Sequence, residues 1–162
     1  MKIPLIFFLT FLSFPFIFSH AQGQDREKTM QVIRDVTTMI ARDSANAKLY
    51  AGRATLYQML EDFDAAIEDL SWALAYSPED PERWVLYKNR GRLRLQIGEL
   101  QLALEDYTEA RRLNPESGEL CILTGIVRYQ LNALTEACED FRQALSLGAE
   151  EAKPLLAAVC GE

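Results

Sequence analysis

An all-α array of antiparallel helix pairs is the fold class this sequence predicts, on three observations. One phrase recurs: "AIEDLSWALAYSP" from Ala66, "ALEDYTEARRLNP" from Ala103 and "ACEDFRQALSLGA" from Ala137 stand 37 and 34 residues apart. Self-similarity at a fixed period of about 20–50 residues marks a repeat architecture. In each copy apolar residues fall at offsets 0, 1, 4 and 7 from the opening Ala, and also at 8 in the first and third, which is one stripe on a helix and not the alternation of a strand. The 8 Gly and 6 Pro among 162 residues are few for a turn-rich β fold.

The N-terminus is set aside first. Lys2 precedes an apolar run from Ile3 to Phe18, then Ser19-His20-Ala21. Small residues three before and directly before a cut after Ala21 predict a secretory signal over 1–21. The competing reading is a membrane anchor, but the run is short for a span and is interrupted by Pro4 and Pro15. The expectation is an exported chain, periplasmic or secreted, with no stable membrane insertion after cleavage.

Over 22–46, Val32, Ile33, Val36, Met39 and Ile40 stand at the offsets of a second helix, with Ser44 where the recurring Pro would fall. That predicts a half unit. Three full units follow at 47–83, 84–117 and 118–149. Their first helices align as "LYAGRATLY", "LYKNRGRLR" and "LCILTGIVR", and their joints as "LEDFD", "IGELQ" and "LNALT". Ala54, Gly91 and Gly125 lie mid-way along the first helices, where they are expected to face Ala66, Ala103 and Ala137 and let the backbones approach. Pro78 and Pro115 end two second helices, because Pro cannot continue the hydrogen-bond ladder. Gly148 caps the third. Residues 150–162 read as a lone closing helix, since a stacked array needs atypical ends.

A unit of 34 residues with Gly or Ala near position eight, Ala near twenty, an aromatic at twenty-four, Ala at twenty-seven and Pro at thirty-two resembles the tetratricopeptide repeat. With the leader in front, the resemblance is to exported bacterial members. It covers Ala47 to Ala149 and departs at position seven, where Arg53, Arg90 and Thr124 replace a large apolar residue, and at the insertion "EDPER". The resemblance implies an α-solenoid, a right-handed superhelix whose first helices line a concave groove.

Catalysis is argued against by the residues themselves. His20 is the only histidine and lies in the expected signal, so a processed chain lacks the commonest general base and metal ligand. No phosphate-cradling glycine loop is present. The pairs Glu68/Asp69, Glu105/Asp106 and Glu139/Asp140 are expected on a solvated face. No enzyme, cofactor or metal is expected, and a net charge of −7 gives no general attraction for nucleic acid.

Of the three cysteines, Cys121 and Cys138 fill slots held by apolar residues in the other units. They read as small hydrophobes, or, in an oxidising compartment, as disulfide partners. Cys138 and Cys160 are the candidate pair, with Cys121 free or pairing instead.

The resemblance places positions two, five, nine and twelve in the groove: Lys48, Ala51, Thr55 and Gln58; Val85, Lys88, Arg92 and Leu95; Glu119, Ile122, Ile126 and Tyr129. A cationic middle, Lys88 and Arg92 flanked by Lys48, then meets an apolar end of Ile122, Ile126 and Tyr129. That suits a protein or peptide partner with an acidic side chain or C-terminal carboxylate; the alternative is that these cations are merely solvated. Chaperone-binding members grip a carboxylate with a clamp of Lys, Asn and Arg. Asn89 matches one clamp position, while Ala51, Thr55 and Leu123 do not match the others. The expected function is a non-enzymatic interaction scaffold or adaptor. The alternative is a structural subunit or assembly factor of an envelope complex that uses its convex face or its ends.

Overall fold

The structure, a computed structural model, describes residues 14–77 and 79–161. Among them are eight helices: α1 (Phe14–Arg42), α2 (Ala47–Met59), α3 (Phe63–Ala75), α4 (Arg83–Gln96), α5 (Leu100–Leu113), α6 (Gly118–Gln130), α7 (Leu134–Ser146) and α8 (Ala152–Cys160). No strand occurs among the described residues. The expected signal lies outside them as far as position 13, and from Phe14 the backbone is already α1. Pro78 also lies outside; α3 stops at Ala75 before it.

The helices pack as three pairs, α2 with α3, α4 with α5 and α6 with α7. Each second helix then meets the first helix of the following pair, from α1 on α2 to α7 on α8. Contact concentrated between chain neighbours makes a solenoid, in which every unit must bury its face against the next.

The joints share one backbone device. Glu61, Gly98 and Asn132 stand at the same register with φ of 61°, 84° and 62°. The following amide donates to the carbonyl five residues back: Asp62 to Tyr57 at 3.0 Å, Glu99 to Arg94 and Ala133 to Arg128, both at 2.8 Å. Gly148, at φ 85°, closes α7 in the same way, with the Ala149 amide on the Ala144 carbonyl. This left-handed cap satisfies carbonyls that the helix leaves open. Asp62 and Ser117 start the next helices by accepting from the amides of Ala65 and Leu120.

Ala66, Ala103 and Ala137 are fully buried in the pair interfaces. The small residues opposite, however, are cut to fit position twenty-four rather than those alanines. A Cβ on Gly91 would lie 3.0 Å from Tyr107 Cε1, and one on Gly125 would lie 2.5 Å from Phe141 Cε1. The first unit pairs Ala54 with the smaller Leu70 in one cluster. An aromatic therefore demands glycine, and leucine accepts alanine.

The Glu-Asp pairs correct the expectation of a solvated face. Glu68, Glu105 and Glu139 are exposed, but Asp69, Asp106 and Asp140 are only 3%, 2% and 3% exposed. A helix turns about 100° per residue, so adjacent positions need not share an environment. Arg53 donates from Nε and Nη2 to Asp69 at 2.8 and 2.7 Å. Arg90 binds Asp106 in the same two-pronged way at 3.0 and 2.7 Å, again across sixteen residues. In the third unit Thr124 stands at the arginine's register and donates to its own helix at Leu120. Arg111 of α5 and Arg128 of α6 reach Asp140 instead, at 2.6 and 2.8 Å.

These arginines also tie units together. Arg53 donates to Thr37 of α1, Arg90 to Ser71 of α3, and Arg111 spans to Gln143 of α7. The hydrogen bonds to Asp69 raise the Arg53 pKa above its ordinary value. Two of the departures at position seven, Arg53 and Arg90, belong to the cationic half of a ladder.

At the N-terminal end, Ile33 and Ile40 of α1 are buried, while Val32 and Met39 are 45% and 50% exposed. The five-residue stripe expected for α1 is thus only partly covered, because no first helix lies ahead of it among the described residues.

The glycine fit predicts a reciprocal pair of effects. Gly125→Ala drives a methyl into the ring of Phe141 and should destabilise by about 2 kcal/mol, as overpacking does. Adding Phe141→Leu, which recreates the Ala54–Leu70 combination, should recover part of that loss in chemical denaturation.

Candidate peptide-binding groove

The positions expected to line a groove are brought side by side by α2, α4 and α6. Lys48 and Ala51 of α2 share a recess of about 210 Å3 with Val85 and Leu86 of α4. Glu119, Ile122 and Leu123 of α6 line a second recess, of about 280 Å3, closed by Ala149 and Glu151.

The central cation is already held. Lys88 Nζ lies 2.9 and 3.2 Å from the two carboxylate oxygens of Glu119 on α6, and 5.3 Å from the centroid of the Trp84 ring. The cationic middle is thereby reduced to Arg92, which is exposed, with exposed Lys48 at the end of the row. Thr55 is exposed, but its hydroxyl donates to the Ala51 carbonyl. Asn89 is half-buried.

The apolar end is partly consumed by the closing helix. Ile122 and Ile126 are half-buried against a cluster that includes Phe141, Ala152 and Leu156, whereas Tyr129 stays 50% exposed. Sequence reasoning missed Trp84, and it missed Asp80 and Glu82, which rim the first recess. The insertion "EDPER" was the available signal for the last two, since its acids can only enter the loop between α3 and α4.

Cys138 and Cys160 form a disulfide with Cα atoms 5.9 Å apart, fastening α8 to α7. Cys121 is free and buried. Burial raises its thiol pKa, which keeps it protonated and unreactive. Burial likewise pushes the Tyr107 phenol up to about 12, and its hydroxyl has no hydrogen-bond partner. Among the described residues no three His, Cys, Asp or Glu side chains gather as a metal site. None of their helices is long and apolar enough to cross a membrane.

Residues 88–154 match the tetratricopeptide-repeat family. The match runs from within α4 to the start of α8. Over 132 residues, 75% of the chain, the sequence is 30% identical to Tetratricopeptide repeat protein 16 of Homo sapiens and spans 15% of its length. It is 29% identical to Tetratricopeptide repeat protein 4 of Homo sapiens over 67% of the chain and spans 28% of that relative. A crystal structure of MamA superposes with a TM-score of 0.71 at 19% identity, covering 86% of this chain and 83% of that one. The first TPR of Spaghetti (RPAP3), solved bound to the HSP90 peptide SRMEEVD, has a TM-score of 0.64 at 24% identity, covering 71% and 90%. These solved structures share the tetratricopeptide-repeat solenoid fold with this chain.

The staple on the tetratricopeptide array predicts a local loss. Cys138 and Cys160 are 22 residues apart, and closing a loop of that size stabilises by about 3 kcal/mol in the chain-entropy model. Cys160→Ser should lower stability by up to that amount. Hydrogen exchange should show the fastest new exchange in α8, with α2 and α3 unchanged.

Proposed function

We propose that this chain is a non-enzymatic protein–protein interaction scaffold that captures an extended peptide along α2, α4 and α6. The observation that carries the reading is a pair of recesses on the first helices, one between α2 and α4 lined by Lys48 and Val85, the other between α6 and the α7–α8 joint lined by Glu119 and Ile122. Exposed Arg92 and Tyr129 stand on these helices beside them. A fold neighbour solved with a peptide rich in acidic residues supports the same use of the scaffold.

The peptide offers a carboxylate to Arg92 and, after displacement of Glu119, to Lys88, followed by an apolar side chain near Tyr129. Glu119 acts as an internal competitor, a carboxylate of the chain seated where the ligand's would go. The units that build the row are 47–83, 84–117 and 118–149, between a half unit at 22–46 and a closing helix at 150–162.

We place the chain outside the cytoplasm, on the strength of the apolar run Ile3–Phe18 before Ser19-His20-Ala21. The disulfide fits an oxidising compartment. The sequence relatives are human and lend nothing to a bacterial origin. A second reading, a subunit that docks by another face, draws on Trp72 and Tyr76. They are stacked with centroids 5.9 Å apart and partly exposed at the C-terminal end of α3.

Charge variants decide between them. With an acidic peptide as ligand, Arg92→Glu should weaken binding at least tenfold, and Lys88→Glu with Arg92→Glu further still. Glu119→Gln should tighten it, because the competing carboxylate is gone. Folding should change little for Arg92→Glu and Glu119→Gln, since exposed charges contribute little to stability, while Lys88→Glu, which sets a carboxylate against Glu119, is checked by its melting temperature. Unchanged affinity across all three variants, read by isothermal titration, would move the binding site off the groove.

A further inference from the structure

The exposed face of α1 carries the docking pattern of an inner unit without its partner. Asp35 stands 34 residues before Asp69 and shares the register of Asp106 and Asp140; Val36 likewise aligns with Leu70, Tyr107 and Phe141. In the three full units this face is covered by the unit's own first helix. The aspartate there is buried under arginine, and the alanines beside it are fully buried. On α1 the corresponding Val32 and Met39 are about half exposed. Asp35 is exposed, and its hydrogen bond comes from Gln31 of the same helix at 3.0 Å. The neighbouring charges are engaged along α1: Lys28 with Asp25, and Arg34 with Glu27 and Gln31. From α2, Arg53 reaches only Thr37 on this helix.

We propose that this face binds an amphipathic helix of another protein, lying antiparallel to α1, with an arginine directly before a small residue. The chain itself shows the required match: Arg53-Ala54 docks on Asp69 and Leu70, and Arg90-Gly91 on Asp106 and Tyr107. Val36 is smaller than any of those aromatic or leucine side chains, so alanine suffices opposite it. The bulkier Val32 and Met39 hold the incoming helix further off than Ala66 and Ala73 hold α2, a gap that the long reach of arginine spans.

A second copy does not supply this chemistry. Its closing helix α8 is a first helix by register, but it presents Ala158-Val159 where the Arg-small pair belongs. Residues 1–13 contain Lys2 beside Ile3 and no arginine. Charge and size together therefore select a different chain. This surface is separate from the groove, so its test does not depend on groove binding.

The probe is a labelled peptide with the sequence of residues 46–60, which carries the Arg53-Ala54 pair, titrated into the full chain by fluorescence anisotropy. Saturable binding is expected. It should fall at least tenfold with Asp35→Arg in the protein or with Arg53→Glu in the peptide, and largely return when the two changes are combined. Lys88→Glu with Arg92→Glu should leave it unaltered. Because Asp35 is exposed, Asp35→Arg should keep the wild-type melting temperature. Absence of saturable binding would overturn the proposal, and so would binding indifferent to Asp35, which would mean that the peptide displaces α2 elsewhere. Sedimentation showing a wild-type dimer that Asp35→Arg dissociates would also overturn it, in favour of a second copy.

Discussion

A carboxylate buried between helices must be met by a cation, and three aspartates at one register make that demand in this array. Desolvating Asp69, Asp106 and Asp140 costs several kcal/mol each unless charge and hydrogen bonds are returned. Arg53 and Arg90 return them from the same unit, while Arg111 and Arg128 do so from two different helices. A second helix that slipped along its partner would strand its aspartate. Apolar stripes tolerate small slips, because one methyl contact substitutes for another; two-pronged arginine contacts do not. The ladder therefore fixes how the helices stack, and the recesses beside α2, α4 and α6 follow from that stacking.

Alternating dependence explains the third unit. Thr124 has replaced the arginine, so Asp140 draws Arg111 across from α5. That contact joins two units where Arg90–Asp106 joins the helices of one. The C-terminal end then gains a second tie, the disulfide that holds α8 over Phe141, Ile122 and Ile126. The N-terminal end has no such staple among the described residues: Arg53 ties α1 to α2 through Thr37, and α1 keeps an open face.

The helix pairs were legible because their signal is local: a 3.6-residue stripe, small residues at fixed places, short polar joints, and a capping glycine at Gly148. The partner of the small residues was misread. Gly91 and Gly125 answer to Tyr107 and Phe141, a contact between helices that one-helix periodicity cannot locate. The aspartates were missed for a similar reason. Glu-Asp reads as one polar pair, but a single step of about 100° puts Glu105 in water and Asp106 inside. The trace was present in two apparent flaws of the repeat, Arg53 and Arg90, each sixteen residues before an aspartate. That Lys48, Lys88 and Ile122 stand on first helices was legible. Their occupancy by Glu119, Trp84 and α8 depends on distances between units that sequence spacing does not contain.

The most direct measurement is a double-mutant cycle across Arg90 and Asp106 by urea denaturation. Arg94 also donates to Asp106, from Nη1 at 2.8 Å, so Asp106→Leu alone leaves Arg90 and Arg94 facing an apolar side chain, and Arg90→Met alone leaves Asp106 with Arg94. Each should destabilise, the aspartate change by about 3–5 kcal/mol. The double variant should recover more than half of the summed loss, because two apolar side chains can pack where the ion pair stood. Additive losses, or single losses below about 1 kcal/mol, would mean that the ladder does not hold the array in register.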